Sequence, residues 1–532
     1  MVTIYEAVDA PSSAATPYLM GAGDAFFGTL PQNGSDWVAV TLVAGRSYSF
    51  GAVGMGVTDP YLKLYAPGGA VLALDDDGGP GGSARISYTA TVSGTVYLEA
   101  RALAGDGGYG LVVTEGSRPS YGAEMVAALL GREGDSWGSG VTLTWGVRTG
   151  GPAWDATGKA APFVSLTAPQ VVALRGALAH YAEVAGITFS EVPAGTPATV
   201  MVGGYTSATD NAGAYAYGPG AQAAPDKAGD VWINARWASG TALTTGTYDA
   251  FVLLHELGHA LGLEHPGDYD AVPGVTFTDA GAAQYVQDSR QFTVMSYFPA
   301  TATEAGAPGT YPDTLMLHDI LAVQRIYGVN TATRAGDDIY GFGGTLGGAY
   351  DFAVNRDPLL CIWDGGGRDR LDLSGFAGRQ RVDLSAGAFS DVGGFRGNLS
   401  IALGVVIEDA VGGRGADRIL GNAADNRLRG AAGADHVAGG AGNDLLTGNA
   451  GADRFIFGAG DGRDRITDFT PGQDRLLLSD DLWGGGAMTA GAVLDEFASL
   501  RRGGVVLDFG ADEIALAGVT QIAGLEDSLL IF

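Results

Sequence analysis

The period of the hydrophobic pattern changes along the chain, and each change predicts a different architecture. Between residues 1 and 116, apolar and polar positions alternate in short runs such as SDWVAVTLVAG, SYSFGAVG, PYLKLYAP, ARISYTA, GTVYLEAR and YGLVVTEG, split by Gly, Pro and Asp. Period-two runs between turn residues predict many short strands, hence an all-β N-terminal sandwich. SRPSYG at 117–122 reads as a linker. Beyond it EMVAALLG starts a helix, VTLTWGV at 141–147 alternates as a strand, and APQVVALRGALAHYAEVAG at 168–186 has apolar residues at helical spacing with Pro169 in the first turn. ATVMVGGYT at 198–206 is a strand and LMLHDILAVQRIYGVN at 315–330 an amphipathic helix, so 117–330 is expected to be an α+β domain.

From about residue 331 the pattern becomes a short repeat. Asp417, Asn426, Asp435, Asp444 and Asp453 recur every nine residues, within GGRGADRIL, GNAADNRLR, GAAGADHVA, GGAGNDLLT and GNAGADRFI. Repeats of this form predict a parallel β-roll over 331–475 in which two units make one coil. Glycines, among them Gly413, Gly415, Gly433, Gly440, Gly442 and Gly451, allow tight turns whose carbonyls face an ion, while Asp417, Asp435, Asp444 and Asp453 add carboxylate oxygen for calcium. Ile419, Leu428, Val437, Leu446 and Phe455 each start an inward-facing strand. Turn 413–417 is expected to share an ion with 431–435, and 440–444 with 449–453. Unit 421–429, with Ala424 for glycine and Asn426 for aspartate, departs from the pattern, and residues 476–532 read as a final β region.

The densest chemistry lies at 255–265, HELGHALGLEH. On a helix over 251–262, His255 and His259 lie one turn apart and both reach one metal ion. Glu256, one residue round, can take a proton from a metal-bound water without being a ligand. Gly262 lets the backbone leave the helix, so that His265 can return as third ligand. Three protein ligands and an open fourth position describe a catalytic zinc site, one Zn²⁺ in all. His180 and His318 lack ligand spacing; His180 is read as a structural or surface histidine and His318 as non-catalytic.

Composition narrows the partners. The 532 residues exceed what one core usually serves, and 59 acidic against 30 basic residues, net −29, argue against nucleic acid or an anionic membrane. The same excess, with 88 glycines, suits cation-binding turns. One cysteine, Cys361, excludes an intramolecular disulfide. No apolar run is long enough to span a membrane, and MVTIYEAVDA lacks the pattern of a standard signal peptide.

HExxHxxGxxH resembles the metzincin metalloproteases, and HPGDYD at 265–270 resembles their serralysin branch. That resemblance implies a Met-containing turn beneath the zinc, supplied by Met295 of TVMSY, and a further zinc ligand at Tyr297 that moves to stabilise the oxyanion. It implies that AYAYGPG at 214–220 is an upper edge strand whose backbone at Ala214, Tyr215, Ala216 and Tyr217 binds extended substrate. Arg334, Gly336, Asp338, Asp364, Gly366, Gly367, Asp369 and Glu408 match positions that contribute calcium there, mostly through backbone oxygen, and several structural Ca²⁺ ions are expected. The 1–116 segment is similar to pre-peptidase C-terminal modules, where Asp75, Asp76 and Asp77 are read either as calcium ligands or as a solvated turn. EDSLLIF resembles the uncleaved signal of type I secretion substrates.

The expectation is therefore a secreted, extracellular, monomeric zinc endopeptidase. Its expected partners are protein or peptide substrates, a type I secretion machinery and a proteinaceous inhibitor. A secreted calcium-dependent adhesin with an inactive zinc domain, and a hydrolase of non-peptide esters, are the competing readings.

Overall fold

The computed structural model describes residues 2–131, 136–152, 162–207, 212–220, 226–235, 246–269, 283–303, 305–306 and 309–532. These form two compact units, one of Met1–Thr303 with His318–Val329, the other of Glu304–Leu317 with Asn330–Phe532.

The first unit begins with two five-stranded sheets. One runs Thr3–Tyr5, Ala25–Leu30, Gly107–Glu115, Ser47–Gly54, Ala84–Thr89, and the other Leu19–Met20, Ser35–Leu42, Gly94–Ala104, Asp59–Tyr65, Val71–Asp75. Alternation sets the register: Val38 lies opposite Leu98 and Leu64 opposite Leu98 on its other side, so one face is apolar. The inward faces meet in one cluster with Phe26, Phe50, Ile86 and Leu111 facing Val38, Val40, Leu62 and Leu98.

Beyond Pro119, helix α1 (Ala123–Leu130) leads into a mixed sheet. Val141–Val147, Val200–Tyr205 and Asp230–Asn234 are its parallel centre, Ile187–Glu191 is one edge, and Ala214–Ala216 is the other, antiparallel to Asp230–Asn234. Helix α2 (Ala168–Val184) starts on a capping box, with Thr167 and Gln170 each holding the other's backbone N–H and Pro169 in the first turn. Helix α3 (Tyr248–Ala260) is capped by Thr247 and ends before Gly262, whose φ of +96° turns the chain back towards the sheet. Helix α4 (Leu317–Tyr327) closes this part, and Tyr327 donates its hydroxyl to Leu261 O at 2.7 Å.

The second unit is built from short parallel strands that alternate between two sheets. One sheet carries Asp409–Val411, Arg427–Ala432, Leu445–Ala450 and Arg463–Ile466, the other Arg418–Leu420, His436–Ala438, Arg454–Phe457 and Arg475–Leu478. Ile419, Leu428, Val437, Leu446 and Phe455 are at most 1 % exposed, so the apolar residue of every unit points inward. Both sheets continue past residue 475: Glu513–Ala517 joins Arg463–Ile466, and Leu529–Ile531 joins Arg475–Leu478. Within the stretch expected to be β, Ala490–Phe497 forms a helix, α5, because Thr489 caps Ala492 N and Val493 and Leu494 fall on one buried face.

One expectation is corrected here. Turn 440–444 does not lie against 449–453. Nine residues are half a coil, so units nine apart fall in opposite sheets, and only units eighteen apart stack. A Cβ on Gly451 would strike Gly433 O and one on Gly442 would lie 2.7 Å from Ala424 O, which places 449–453 on 431–435 and 440–444 on 422–426. Turns 413–417 and 431–435, expected to share an ion, do lie against each other, a Cβ on Gly433 falling 2.1 Å from Gly415 O.

Candidate metal centre and active site

Helix α3 carries His255, Glu256 and His259, and the turn after Gly262 brings His265 back to them. His265 Nε2 lies 3.2 Å from His255 Nε2 and 3.1 Å from His259 Nε2. The other ring nitrogens are engaged: His255 Nδ1 donates to Val294 O and His259 Nδ1 to Leu263 O, each at 2.8 Å. With Nδ1 protonated, the Nε2 atoms of His255 and His259 turn their lone pairs towards His265 Nε2, the kind of donor set a cation gathers. Tetrahedral zinc with Zn–N of about 2.05 Å requires N···N separations of about 3.3 Å, so the donor set fits that ion. Burial first, and then the neighbouring imidazoles, hold the His255 pKa well below the ordinary histidine value, which keeps it a neutral ligand.

Two further layers fix this geometry. Met295 is fully buried beneath α3, and Gly258 makes room for it: a Cβ there would lie 2.6 Å from Met295 Sδ and 2.9 Å from the Tyr181 hydroxyl. Asp319, on α4 and also buried, accepts the Thr293 hydroxyl at 2.6 Å and Val294 N–H at 2.7 Å. It thereby holds the peptide whose carbonyl receives His255 Nδ1–H. Around His265, the Tyr297 ring stands edge-on with centroids 4.6 Å apart and the Tyr269 ring stacks at 5.4 Å. Tyr269 and Ser296 both donate to buried Asp288 Oδ1, at 2.8 and 2.7 Å. Glu256 is buried beside the histidines. His318 stacks on Phe292 at 5.1 Å, and burial pushes its pKa down to about 3, so it is a neutral core residue. Asp270 of the HPGDYD run lies outside the described residues.

Along the edge strand, Tyr217 N–H donates to Asp230 O, Gly229 N–H to Tyr217 O and Asn234 N–H to Gly213 O, each at 2.9 Å. Antiparallel alternation then turns the backbone of 213, 215 and 217 into the sheet and that of Ala214 and Ala216 away from it. Of the four expected substrate-binding positions, Tyr215 and Tyr217 therefore have their backbone groups engaged within the sheet.

In the second unit the repeat aspartates form two ladders. Asp435 Oδ1 accepts Asp417 N–H at 2.8 Å and Asp453 Oδ1 accepts Asp435 N–H at 2.9 Å, while Asp444 Oδ1 accepts Asn426 N–H at 2.7 Å. The Oδ2 atoms of Asp435, Asp444 and Asp453 are buried without a hydrogen-bond partner among the described residues. They sit where a Cβ of Gly430, Gly439 or Gly448 would be. Burial pushes these three carboxyls up to about 6. Partnerless carboxylate oxygens in glycine cradles are what a calcium ion would use. Asp417 differs, its oxygens taking Gln380 N–H and Gly413 N–H. At the departing unit, the Asn426 amide donates to Glu408 O at 2.9 Å, filling with a donor the place a cation would need. Upstream, the carboxylates of Asp338, Asp364 and Asp369 converge within 4.8 Å of one another, and Asp369 N–H donates to Glu408 at 2.8 Å. Gly367 packs on Gly336 O, Gly366 N–H donates to Asp364, and the Arg334 guanidinium turns to Trp363 O at 3.0 Å. Arg334 can therefore offer only backbone oxygen to an ion.

Residues 164–291 match the family model described as Matrixin, and 329–497 match Peptidase M10 serralysin C terminal. The metallopeptidase AprA of Pseudomonas marginalis is 39 % identical over 437 residues, covering 77 % of this chain and 91 % of the relative. The metalloprotease AprA of Pseudomonas entomophila is 40 % identical over 382 residues, 68 % of this chain and 78 % of the relative. Serralysin G of Dickeya chrysanthemi is 38 % identical over 327 residues, 59 % of this chain and 67 % of the relative. The chain belongs to the serralysin family of zinc metalloendopeptidases.

A serralysin thus has a metzincin-type catalytic domain followed by a β-rich region of mostly parallel strands, and its substrates are proteins. Sequence reasoning missed several residues of this serralysin's site. Asp319 and Asp288 act through hydrogen bonds that span 25 and 19 residues, for which no local spacing exists. Asp464 and Asp474 extend the ladders, accepting Asp444 N–H and Asp453 N–H at 2.8 and 2.9 Å, but lie 20 and 21 residues on rather than eighteen. The signal that finds them is the run Asp-Arg-apolar, shared by DRI at 417, DRF at 453, DRI at 464 and DRL at 474.

Proposed function

We propose that this serralysin is an extracellular, calcium-dependent endopeptidase in which His255, His259 and His265 hold the catalytic zinc and Glu256 moves the proton. The observation that carries the reading is the convergence of His255 Nε2 and His259 Nε2 on His265 Nε2 at 3.2 and 3.1 Å, with Glu256 one position along the same helix from His255. Zinc bound there supplies a Lewis acid for the scissile carbonyl and lowers the pKa of water towards about 7. Glu256 takes the proton of the attacking water and delivers it to the leaving amine. Tyr297 donates its hydroxyl to the negative charge that develops on the carbonyl oxygen. Outward N–H and C=O groups of Ala214 and Ala216 add the substrate to the sheet as a further strand.

The N-terminal sheets are read as an accessory β-sandwich of the pre-peptidase C-terminal type. The second unit is read as a β-roll whose turns at Asp435, Asp444 and Asp453, together with Asp338, Asp364 and Asp369, hold calcium. Export by a type I machinery before calcium-driven folding outside, and control by a proteinaceous inhibitor, complete the proposal. The test is casein cleavage with calcium, with a chelator, and with zinc and calcium restored singly and together. Turnover that returns only with both metals supports the reading, and turnover in chelator refutes it.

A further inference from the structure

Tyr297 reaches the metal centre from a stretch of backbone that one residue holds by its carbonyls. Arg290 donates through Nε to Ser296 O at 3.2 Å, through Nη2 to Tyr297 O at 3.0 Å, and through its own N–H to Phe298 O at 3.0 Å. Three consecutive carbonyls are thus engaged by a single arginine. A planar guanidinium presents its N–H groups in a fixed fork, so binding two successive carbonyls fixes the orientation of their peptide planes as well as their distance. A second tie holds the same segment: Phe298 N–H donates to Ser296 Oγ at 3.1 Å, and Ser296 Oγ donates to buried Asp288 Oδ1 at 2.7 Å.

Arg290 also joins this segment to the helix that carries His255 and His259. Its guanidinium carbon lies 4.8 Å from the centroid of the buried Phe251 ring, a cation–π contact. Phe251 precedes His255 by one turn of α3, and the two rings lie 5.9 Å apart. The Tyr297 ring itself is half-buried, edge-on to His265 at 4.6 Å and tilted against Tyr269 at 5.0 Å. Ring contacts of this kind are satisfied over a range of positions, whereas the hydrogen bonds to the backbone are directional. The place of the Tyr297 hydroxyl is therefore set from its Cα, and the Cα is set by Arg290.

We infer that Arg290 is a positioning residue of the catalytic site: by clamping the 296–298 backbone against α3, it holds the Tyr297 hydroxyl where negative charge develops on the scissile carbonyl oxygen. The inference rests on the endopeptidase reading above and on the part given there to Tyr297. A donor to a developing oxyanion acts by preorganisation, so displacing it costs rate without costing substrate affinity. Arg290 acts through the Tyr297 backbone, and its replacement is therefore felt in kcat. A lysine keeps the charge but puts a single ammonium in place of the fork, which does not hold two carbonyls in the same geometry.

The test is a double-mutant cycle on the full-length, zinc- and calcium-loaded protein. Values of kcat and KM on an internally quenched peptide are measured for wild type, Arg290→Lys, Tyr297→Phe and the double variant, with melting temperature and bound zinc determined on each sample. Tyr297→Phe is expected to lower kcat by about 100-fold, the loss of one oxyanion donor. Arg290→Lys is expected to lower kcat by roughly ten-fold, with KM within about two-fold of wild type and bound zinc unchanged. In the Tyr297→Phe background the same lysine substitution is expected to change kcat by less than about two-fold, because the hydroxyl it positions is gone. Arg290→Gln, which keeps a donor for these carbonyls without the charge, runs through the same cycle and decides the matter if the lysine variant loses its fold. An Arg290 effect that persists in full in the Tyr297→Phe background, or that lies in KM or in bound zinc, overturns the positioning role. Wild-type turnover by Tyr297→Phe removes the part given to Tyr297 and overturns the inference with it, whereas no cleavage by the metal-loaded wild type overturns the endopeptidase reading itself.

Discussion

Replacing Asp319 tests whether the fold tunes the metal centre from the far side of the Met-containing turn. Asp319 accepts Thr293 Oγ1 at 2.6 Å and Val294 N–H at 2.7 Å, and Val294 O receives His255 Nδ1–H at 2.8 Å. Hydrogen bonds to a charged group contribute about 1.5–3 kcal/mol each, and a buried N–H left without an acceptor costs about 1–3 kcal/mol. Asp319→Ala is therefore expected to destabilise the fold by roughly 3–5 kcal/mol. Freed of its anchor, the 293–295 peptide no longer fixes the His255 tautomer, and loss of such an outer partner lowers metal affinity about 10–100-fold. Asp319→Asn keeps the shape and one acceptor, so it is expected to fold and to lose about ten-fold in zinc affinity. Chelator competition on the folded Asn variant, with circular dichroism as the control for fold, makes the measurement. Zinc affinity within two-fold of wild type in that variant refutes the brace.

Gly258→Ala places a Cβ 2.6 Å from Met295 Sδ; despite the better helix propensity of alanine, overpacking is expected to cost about 1–3 kcal/mol, read as a lower melting temperature. Gly433→Ala, at φ +145° and with its Cβ 2.1 Å from Gly415 O, is expected to raise the calcium needed for half-maximal folding by about ten-fold in a circular dichroism titration. Asp36 is buried, and burial, more than the neighbouring Glu6 and Asp9, pushes its carboxyl up to about 7 from 3.8. Its folded pKa is raised, so its contribution to stability is complete below about pH 4 and is lost as pH rises to about 7, on the order of 4 kcal/mol. Asp36→Asn keeps an acceptor for the Tyr109 hydroxyl and is expected to flatten this slope, making the variant the more stable protein at pH 8 in denaturant melts.

Much of the site was legible because its spacing is local. His255 and His259 are one helical turn apart, Gly262 adopts the φ of +96° that the turn back to His265 requires, and both facts follow from the residues themselves. The inward phase of Ile419, Val437 and Phe455 followed from a fixed period in the same way. What stayed hidden depends on three-dimensional adjacency. Half-coil geometry sends units nine apart to opposite sheets, so a correct repeat still gave one wrong pair of neighbouring turns. Helix α5 was hidden in a short apolar stretch that reads equally as strand. The engaged backbone of Tyr215 and Tyr217 depends on strand phase, which a four-residue motif does not specify. The packing of Tyr121 against Gly51 and of Met125 against Gly110 has no sequence periodicity at all.

In the proposed mechanism Glu256, and not the metal site alone, performs the proton transfer of peptide hydrolysis. The most direct measurement is kcat/KM of Glu256→Gln on an internally quenched peptide, with zinc content determined on the same sample and calcium at saturation. A variant that holds one zinc per chain and loses at least about 10³-fold in kcat/KM is the predicted result, general acid–base catalysis together with water activation being removed at once. A zinc-loaded Glu256→Gln protein that keeps activity within ten-fold of wild type contradicts it.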